Sequence, residues 1–232
     1  MTDVVQILAH ATIVTMDPEY RVLTDGAVAI QEDSIVAVGS SDEILASHSA
    51  TNVVDCGGKI MIPGLINAHT HVPMALLRGL EDDRRLDVWL LGYIMPVERK
   101  FVSPEFCRLG TQLACGEMIR GGVTCFADMY YFEHAVAATV AEIGMRAICG
   151  ETVLKFPAPD ADSFEDSIAA AREFMMRWSS HPLIVPAVAP PAAREDFGAG
   201  RDEQHVHDDH SHQIWKDMDA QDAPVAAPRH SS

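Results

Sequence analysis

Along the chain the spacing of apolar positions changes character once, near residue 63. Before that point, short β-branched runs stand at 4–8, 11–14, 27–30, 35–38 and 59–62. Turn formers separate them: Asp17-Pro18, Asp25-Gly26, Glu32-Asp33 and Gly57-Gly58. Helical periodicity is absent apart from one turn near 41–46. Residues 1–62 are therefore predicted to form a small β-sandwich, or part of one.

From Pro63 onward, strand patterns alternate with amphipathic helices. The run 64–69 is the first strand of this second style. Residues 86–101 are apolar and predicted helical as far as Pro96. Ser103 before Pro104 gives an N-cap followed by the favoured first-turn proline. The helix after it sets Phe106, Leu109, Leu113 and Met118 on one face and ends at Gly121-Gly122. A second strand at 123–127 precedes a helix marked by Val136, Val140 and Ile143 and stopped by Gly144. A third strand lies at 146–150. Ser163 with Asp166 fits a capping box ahead of Phe164, Ile168, Ala171, Met175 and Trp178, and 183–188 is a fourth strand.

Four strands alternating with helices predict βαβ units and a parallel sheet. A closed (β/α)₈ barrel takes eight strands and typically about 250 residues, whereas the alternation here stops after the fourth strand. The expected fold class is α/β: about the first half of a TIM-type barrel at 63–191, behind the N-terminal β-sandwich segment. From 192 to 232 neither periodicity survives, and this His/Asp-rich tail is predicted irregular or disordered. Such an abrupt change is expected of a truncated or frame-shifted reading frame, which the out-of-frame translation of the encoding DNA would test.

Composition narrows the partners. Hydrophobic residues make up 48% of the 232, enough for a sizeable core, and 22% are charged. With 17 Lys+Arg against 34 Asp+Glu, the formal charge is −17, which argues against nucleic acid because no basic stripe exists to neutralise phosphates. No apolar run is long enough to span a membrane, and the N-terminus lacks a signal peptide's basic start and apolar core, so a cytoplasmic location is expected. The five cysteines are scattered, with no C-x-x-C pair, and are expected to be reduced, mostly buried thiols rather than ligands.

The candidate chemistry gathers at the end of the first strand of the second style. His69 and His71 flank Thr70, and side chains at i and i+2 share a strand face. Two imidazoles side by side are a metal-ligand pair, although two ligands do not close a site. Alone the pair could serve packing; after Pro63-Gly64 and an apolar strand it points to metal. Asp128, at the end of the next strand, is expected to cap the helix that follows it. Trp89 is expected to pack, while the pattern leaves Arg78 open between holding a loop and standing in solvent. His205, His207, His210 and His212 could bind metal adventitiously, but nothing in the pattern orients them.

These residues carry a resemblance. The run Asp55-Cys56-Gly57-Gly58-Lys59-Ile60-Met61-Ile62-Pro63-Gly64-Leu65-Ile66-Asn67-Ala68-His69-Thr70-His71 is similar to the passage from β-sandwich into barrel strand 1 of the amidohydrolase superfamily. Leu77-Arg78-Gly79, Trp89-Leu90, Pro96-Val97-Glu98, Gly122-Val123-Thr124 and Phe126-Ala127-Asp128-Met129 resemble its methylthioadenosine/S-adenosylhomocysteine deaminase and chlorohydrolase branch. The likeness covers about residues 1 to 190.

The resemblance implies a hydrolase that releases ammonia from an aminated heterocycle, an adenine-containing nucleoside above all, using one divalent metal, most often zinc. It implies His69 and His71 as metal ligands and Glu98 as a substrate contact through ribose hydroxyls. It implies a small-molecule partner, and homo-oligomers among full-length relatives. No catalytic acid or base is identifiable. Where the family has Pro-His-Ala/Ser-Pro-Tyr after strand 4, this chain has Ala189-Pro190-Pro191-Ala192-Ala193. Nothing beyond matches the histidines of strands 5 and 6 with their glutamate, or the aspartate of strand 8. The 232 residues are accordingly expected to be an inactive fragment. Two alternatives stay open: a guanine or cytosine deaminase or triazine chlorohydrolase, and a non-catalytic metal-binding remnant using its tail.

Overall fold

A computed structural model describes residues 1–189. Pro190, Pro191 and the tail 192–232, including its four clustered histidines, lie outside the described residues. The chain divides into two units, Met1–Gly64 and a second beginning at Leu65.

The first unit is built on β1 (Thr2–Val14), a strand in which alternate residues are buried. It pairs antiparallel with β2 (Val22–Gln31), which pairs with β3 (Ser34–Ser40). On its other side β1 runs parallel to β4 (His48–Asp55) and then to the short β5 (Ile60–Met61). The two runs expected at 4–8 and 11–14 are thus one strand, broken in register where His10 takes φ 63°. Helix α1 (Ser41–Ser47) opens with a full capping box between Ser40 and Glu43. Ile44 from α1 packs with Val4, Ile7, Ala9, Ala27 and Ala29. The strand β4 is not signalled by its sequence, HSATNVVD, which lacks a hydrophobic alternation and whose last five residues, three of them polar or acidic, are all exposed.

The second unit is α/β. Its sheet is wholly parallel, in the order β6 (Leu65–Thr70), β7 (Val123–Tyr130), β8 (Arg146–Thr152), β9 (Ile184–Ala189). Between β6 and β7 come a 3-10 helix at Val72–Leu77, α2 (Leu86–Trp89), a π-helical turn at Leu90–Ile94, α3 (Met95–Phe101) and α4 (Pro104–Arg120). Helix α5 (Glu133–Ile143) links β7 to β8, and α6 (Phe164–Trp178) links β8 to β9. The core joins Cys107 and Cys115 of α4, Val136 and Val140 of α5 and Phe174 of α6 to Phe126, Ala147, Cys149 and Ile184 of the sheet.

Two local expectations need correction. Helix does not stop at Pro96: α3 carries the proline in its first turn, directly after the π turn. Proline lacks an N–H and clashes with the preceding turn, and a widened π turn is one way to accommodate that. On α4 the buried face is Cys107, Gly110, Thr111, Ala114 and Cys115, while Leu109 and Leu113 are exposed by 49% and 42%. Close approach explains it. A Cβ on Gly110 would sit 2.4 Å from the Pro73 carbonyl oxygen, so small residues form the contact.

Candidate metal and substrate site

Where β6 ends, His69 and His71 stand with ring centroids 5.1 Å apart and planes at 77°. His71 lies just past the strand and begins the 3-10 helix as its N-cap. Its Nδ1 faces the Met129 carbonyl oxygen. A carbonyl only accepts, so Nδ1 carries the hydrogen and a neutral ring keeps its lone pair on Nε2. That division of labour suits a metal ligand, whose other nitrogen is ordinarily held by a carbonyl or carboxylate.

Thr70 binds the same place from the other side. Its hydroxyl lies 2.7 Å from Asp128 Oδ1 and 2.8 Å from the Ala127 carbonyl oxygen. The backbone N–H of Val72 donates to that same Oδ1 at 2.7 Å. Asp128 therefore caps the 3-10 helix after β6, not the helix that follows it in sequence. Helix α5 begins instead at Phe132, which has φ 54° and no side-chain cap, and whose N–H donates to Asp160 Oδ2 at 2.7 Å. The difference lies in the pleat. Phe126, Asp128 and Tyr130 alternate as the buried positions of β7, so Asp128 turns in beside its register partner Thr70 rather than along the chain.

Glu98, from α3, is only 5% exposed and accepts a hydrogen bond from the Tyr130 hydroxyl at 2.8 Å. Burial pushes its carboxyl above the usual range, opposed by that bond and by the charge of His71. The Tyr130 ring lies 6.4 Å from that of His71. The structure thus brings His69, His71 and Glu98 into one neighbourhood, with Tyr130 as the link. Glu98 also lines a recess with Met95, Arg99, Tyr131, Phe156 and Pro159.

Behind this surface lies a set of buried acids that the sequence reading did not single out. Glu133 is fully buried; desolvation first, then the charges of Asp128 and Glu151, push it well above the usual carboxylate range. The Asp128 carboxyl is itself raised by burial against the bonds from Thr70 and Val72, while both Glu133 oxygens and Asp128 Oδ2 are buried with no hydrogen-bond partner among the described residues. At the end of β8, burial and the Asp160 charge push Glu151 up to about 9, and burial raises Asp160 as well. The available signal was a polar residue at each inward pleat position, Asp128 two beyond Phe126 and Glu151 two beyond Cys149.

The other expected residues fall as follows. Arg78 holds Glu117 of α4 through two bonds of 2.9 and 2.7 Å, so it ties its loop down. Trp89 is half-buried on α2. All five cysteines are free and four are buried; burial pushes the Cys115 thiol up to about 11, which suits inert packing rather than metal binding. No group of three or more His, Cys, Asp or Glu side chains among the described residues is placed to hold a metal. The fit to a metal is therefore that of two adjacent imidazoles, the His71 ring held by a carbonyl oxygen, as part of a ligand shell.

A parallel α/β sheet with a His-x-His at the C-terminal end of its first strand agrees with what the comparisons find. Residues 60–198 match the model of the amidohydrolase family, and the chain belongs to that family. It is 44% identical over 186 residues to the 5-methylthioadenosine/S-adenosylhomocysteine deaminase of Syntrophobacter fumaroxidans, covering 80% of this chain and 42% of that one. It is 40% identical over 192 residues to deaminase 1 of the same name from Syntrophus aciditrophicus, covering 83% and 43%. Among solved structures, an adenosine deaminase from Xanthomonas campestris with bound zinc matches at 39% identity and TM-score 0.79, over 82% of this chain and 43% of that one. The atrazine chlorohydrolase of Arthrobacter aurescens complexed with zinc shares the fold at 19% identity and TM-score 0.74, over 93% and 50%. The chain spans less than half the length of these curated relatives. No helix among the described residues is long and apolar enough to cross a membrane.

Proposed function

We propose that this chain carries the first metal-ligand pair and a substrate-contacting carboxylate of a metal-dependent hydrolytic deaminase acting on an adenine-containing nucleoside, methylthioadenosine or S-adenosylhomocysteine above all. The parallel sheet is then the opening part of a (β/α)₈ barrel, and the first unit belongs to a β-sandwich. The observation that carries the reading is the His69–His71 pair, fixed at a parallel strand's C-terminal end beside Glu98. Barrel enzymes place their sites at that end.

In this reading His69 and His71 hold a divalent metal, zinc by preference, and His71 presents Nε2 because Met129 occupies Nδ1. When bound, such a metal makes a hydrolytic nucleophile available at neutral pH. Glu98 spends Oε1 on Tyr130 and keeps Oε2 as an acceptor for ligand hydroxyls. The curated relatives at 40–44% identity support this substrate class, whereas the triazine enzyme resembles the chain in fold alone. A small-molecule partner and a cytoplasmic setting belong to the same proposal.

Zinc titration of the 232-residue chain tests it. Wild-type protein is expected to bind one zinc, and His69→Ala with His71→Ala to abolish that binding. Binding unaffected by the double substitution, but lost on deleting 192–232, would assign the metal to the tail and overturn the reading. The same 232 residues are expected to release no ammonia from either nucleoside, while a chain extended to the relatives' length releases it.

A further inference from the structure

We propose that Asp128 is a positioning residue for His71, clamping the turn on which that histidine stands. The inference rests on reading His69 and His71 as metal ligands.

Asp128 occupies a place where the pattern calls for an apolar side chain. Its neighbours on the buried side of β7 are Phe126 and Tyr130, and it is itself only 5% exposed. Placing a carboxyl there carries a desolvation cost unless hydrogen bonds offset it. Both donors that reach Oδ1 come from the histidine turn. Thr70 precedes His71 and Val72 follows it, each 2.7 Å from the same oxygen. One acceptor thus holds the chain immediately before and after the ligand.

The turn needs such a hold. His71 departs from strand geometry, with φ −131° and ψ 72°, and no side chain of its own residue caps the 3-10 helix. The ring is fixed at a second point by Met129, the residue after Asp128. β7 therefore grips His71 twice, by backbone through Asp128 and by ring through Met129. Supporting partners of metal-bound histidines typically contribute about 10–100-fold in metal affinity. This support acts one step further out, through the peptide units rather than the ring.

The test compares zinc affinity and His71 ring ¹⁵N shifts in the 232-residue chain for wild type, Asp128→Ala, Asp128→Asn and Thr70→Val. Asp128→Ala is expected to weaken zinc binding by about 10-fold or more and, without metal, to mix the two His71 ring tautomers. Asp128→Asn keeps an acceptor at Oδ1 and is expected to restore both readouts; Thr70→Val, losing one donor of two, is expected to fall between. Wild-type affinity with an unchanged His71 ring in folded Asp128→Ala would overturn the clamp. If Asp128→Ala does not fold, Thr70→Val decides by the same two readouts. If zinc binding proves indifferent to His69→Ala and His71→Ala, the ligand reading fails, and the metal-free ring shifts alone decide the clamp.

Discussion

At the scale of single residues, the site turns on which buried carboxyl meets which donor. Glu98 is raised by burial and held back by the Tyr130 hydroxyl. Tyr130→Phe removes that restraint, so the Glu98 carboxyl is expected to titrate at higher pH than in wild type, as followed by ¹³C NMR of the carboxyl carbon. The lost bond is expected to lower stability by about 1–3 kcal/mol, the usual effect of leaving a buried acceptor unmet. A Glu98 titration identical in the two proteins would show that Tyr130 does not restrain it. Much of this was out of reach from sequence. His69 and His71 were legible because a two-residue period at a strand end is a local rule. Glu98 was legible only through the family likeness. Tyr130 reads as one more β-forming aromatic, and Asp128 reads as a helix cap until the register beside Thr70 is known.

At the scale of elements, local chemistry predicts ends better than faces. The caps at Ser103 and Ser163 stand where their hydroxyls suggest, accepting from Phe106 and Asp166 at 3.2 and 3.1 Å. The stops at Gly122 and Gly144 take the left-handed φ that glycine allows, 79° and 87°. The buried face of α4 departs from the one hydrophobicity favours, through Leu109 and Leu113, because the Pro73 backbone makes a steric demand against Gly110. The two glycines of that helix allow a direct check. In an open helix position Gly→Ala stabilises by about 0.5–1 kcal/mol, and a Cβ on Gly116 meets nothing within 4 Å. Gly116→Ala is therefore expected to raise the urea midpoint. At Gly110 the added methyl meets backbone that cannot swing aside, and overpacking typically costs about 1–3 kcal/mol. Gly110→Ala is expected to lower the midpoint; a gain there would show that the 3-10 helix at Val72–Leu77 yields freely.

At the scale of the whole molecule, the −17 formal charge hides a distinction that composition cannot reveal, between acids in solvent and acids whose burial favours the neutral form. Glu98, Asp128, Glu133, Glu151 and Asp160 are all shifted upward, burial being the largest cause of each. An acid whose folded pKa exceeds its unfolded value leaves the folded chain holding more protons than the unfolded one. Its stabilising contribution is complete below the unfolded pKa and is lost as pH rises through the folded pKa. For Glu151 that window runs from the ordinary value of 4.5 up to about 9. Unfolding free energy is therefore expected to fall between pH 6 and pH 9 in urea melts. Other groups that titrate over the same range also contribute, so the slope of wild type alone assigns nothing. Glu151→Gln isolates its own part: the amide stays neutral at every pH, while the surface charge is unchanged. Its slope is expected to be shallower by up to about 1.4 kcal/mol per pH unit, the linkage for one proton. Equal slopes in the two proteins would mean that Glu151 is ionised in the folded chain at pH 7, against what its burial implies.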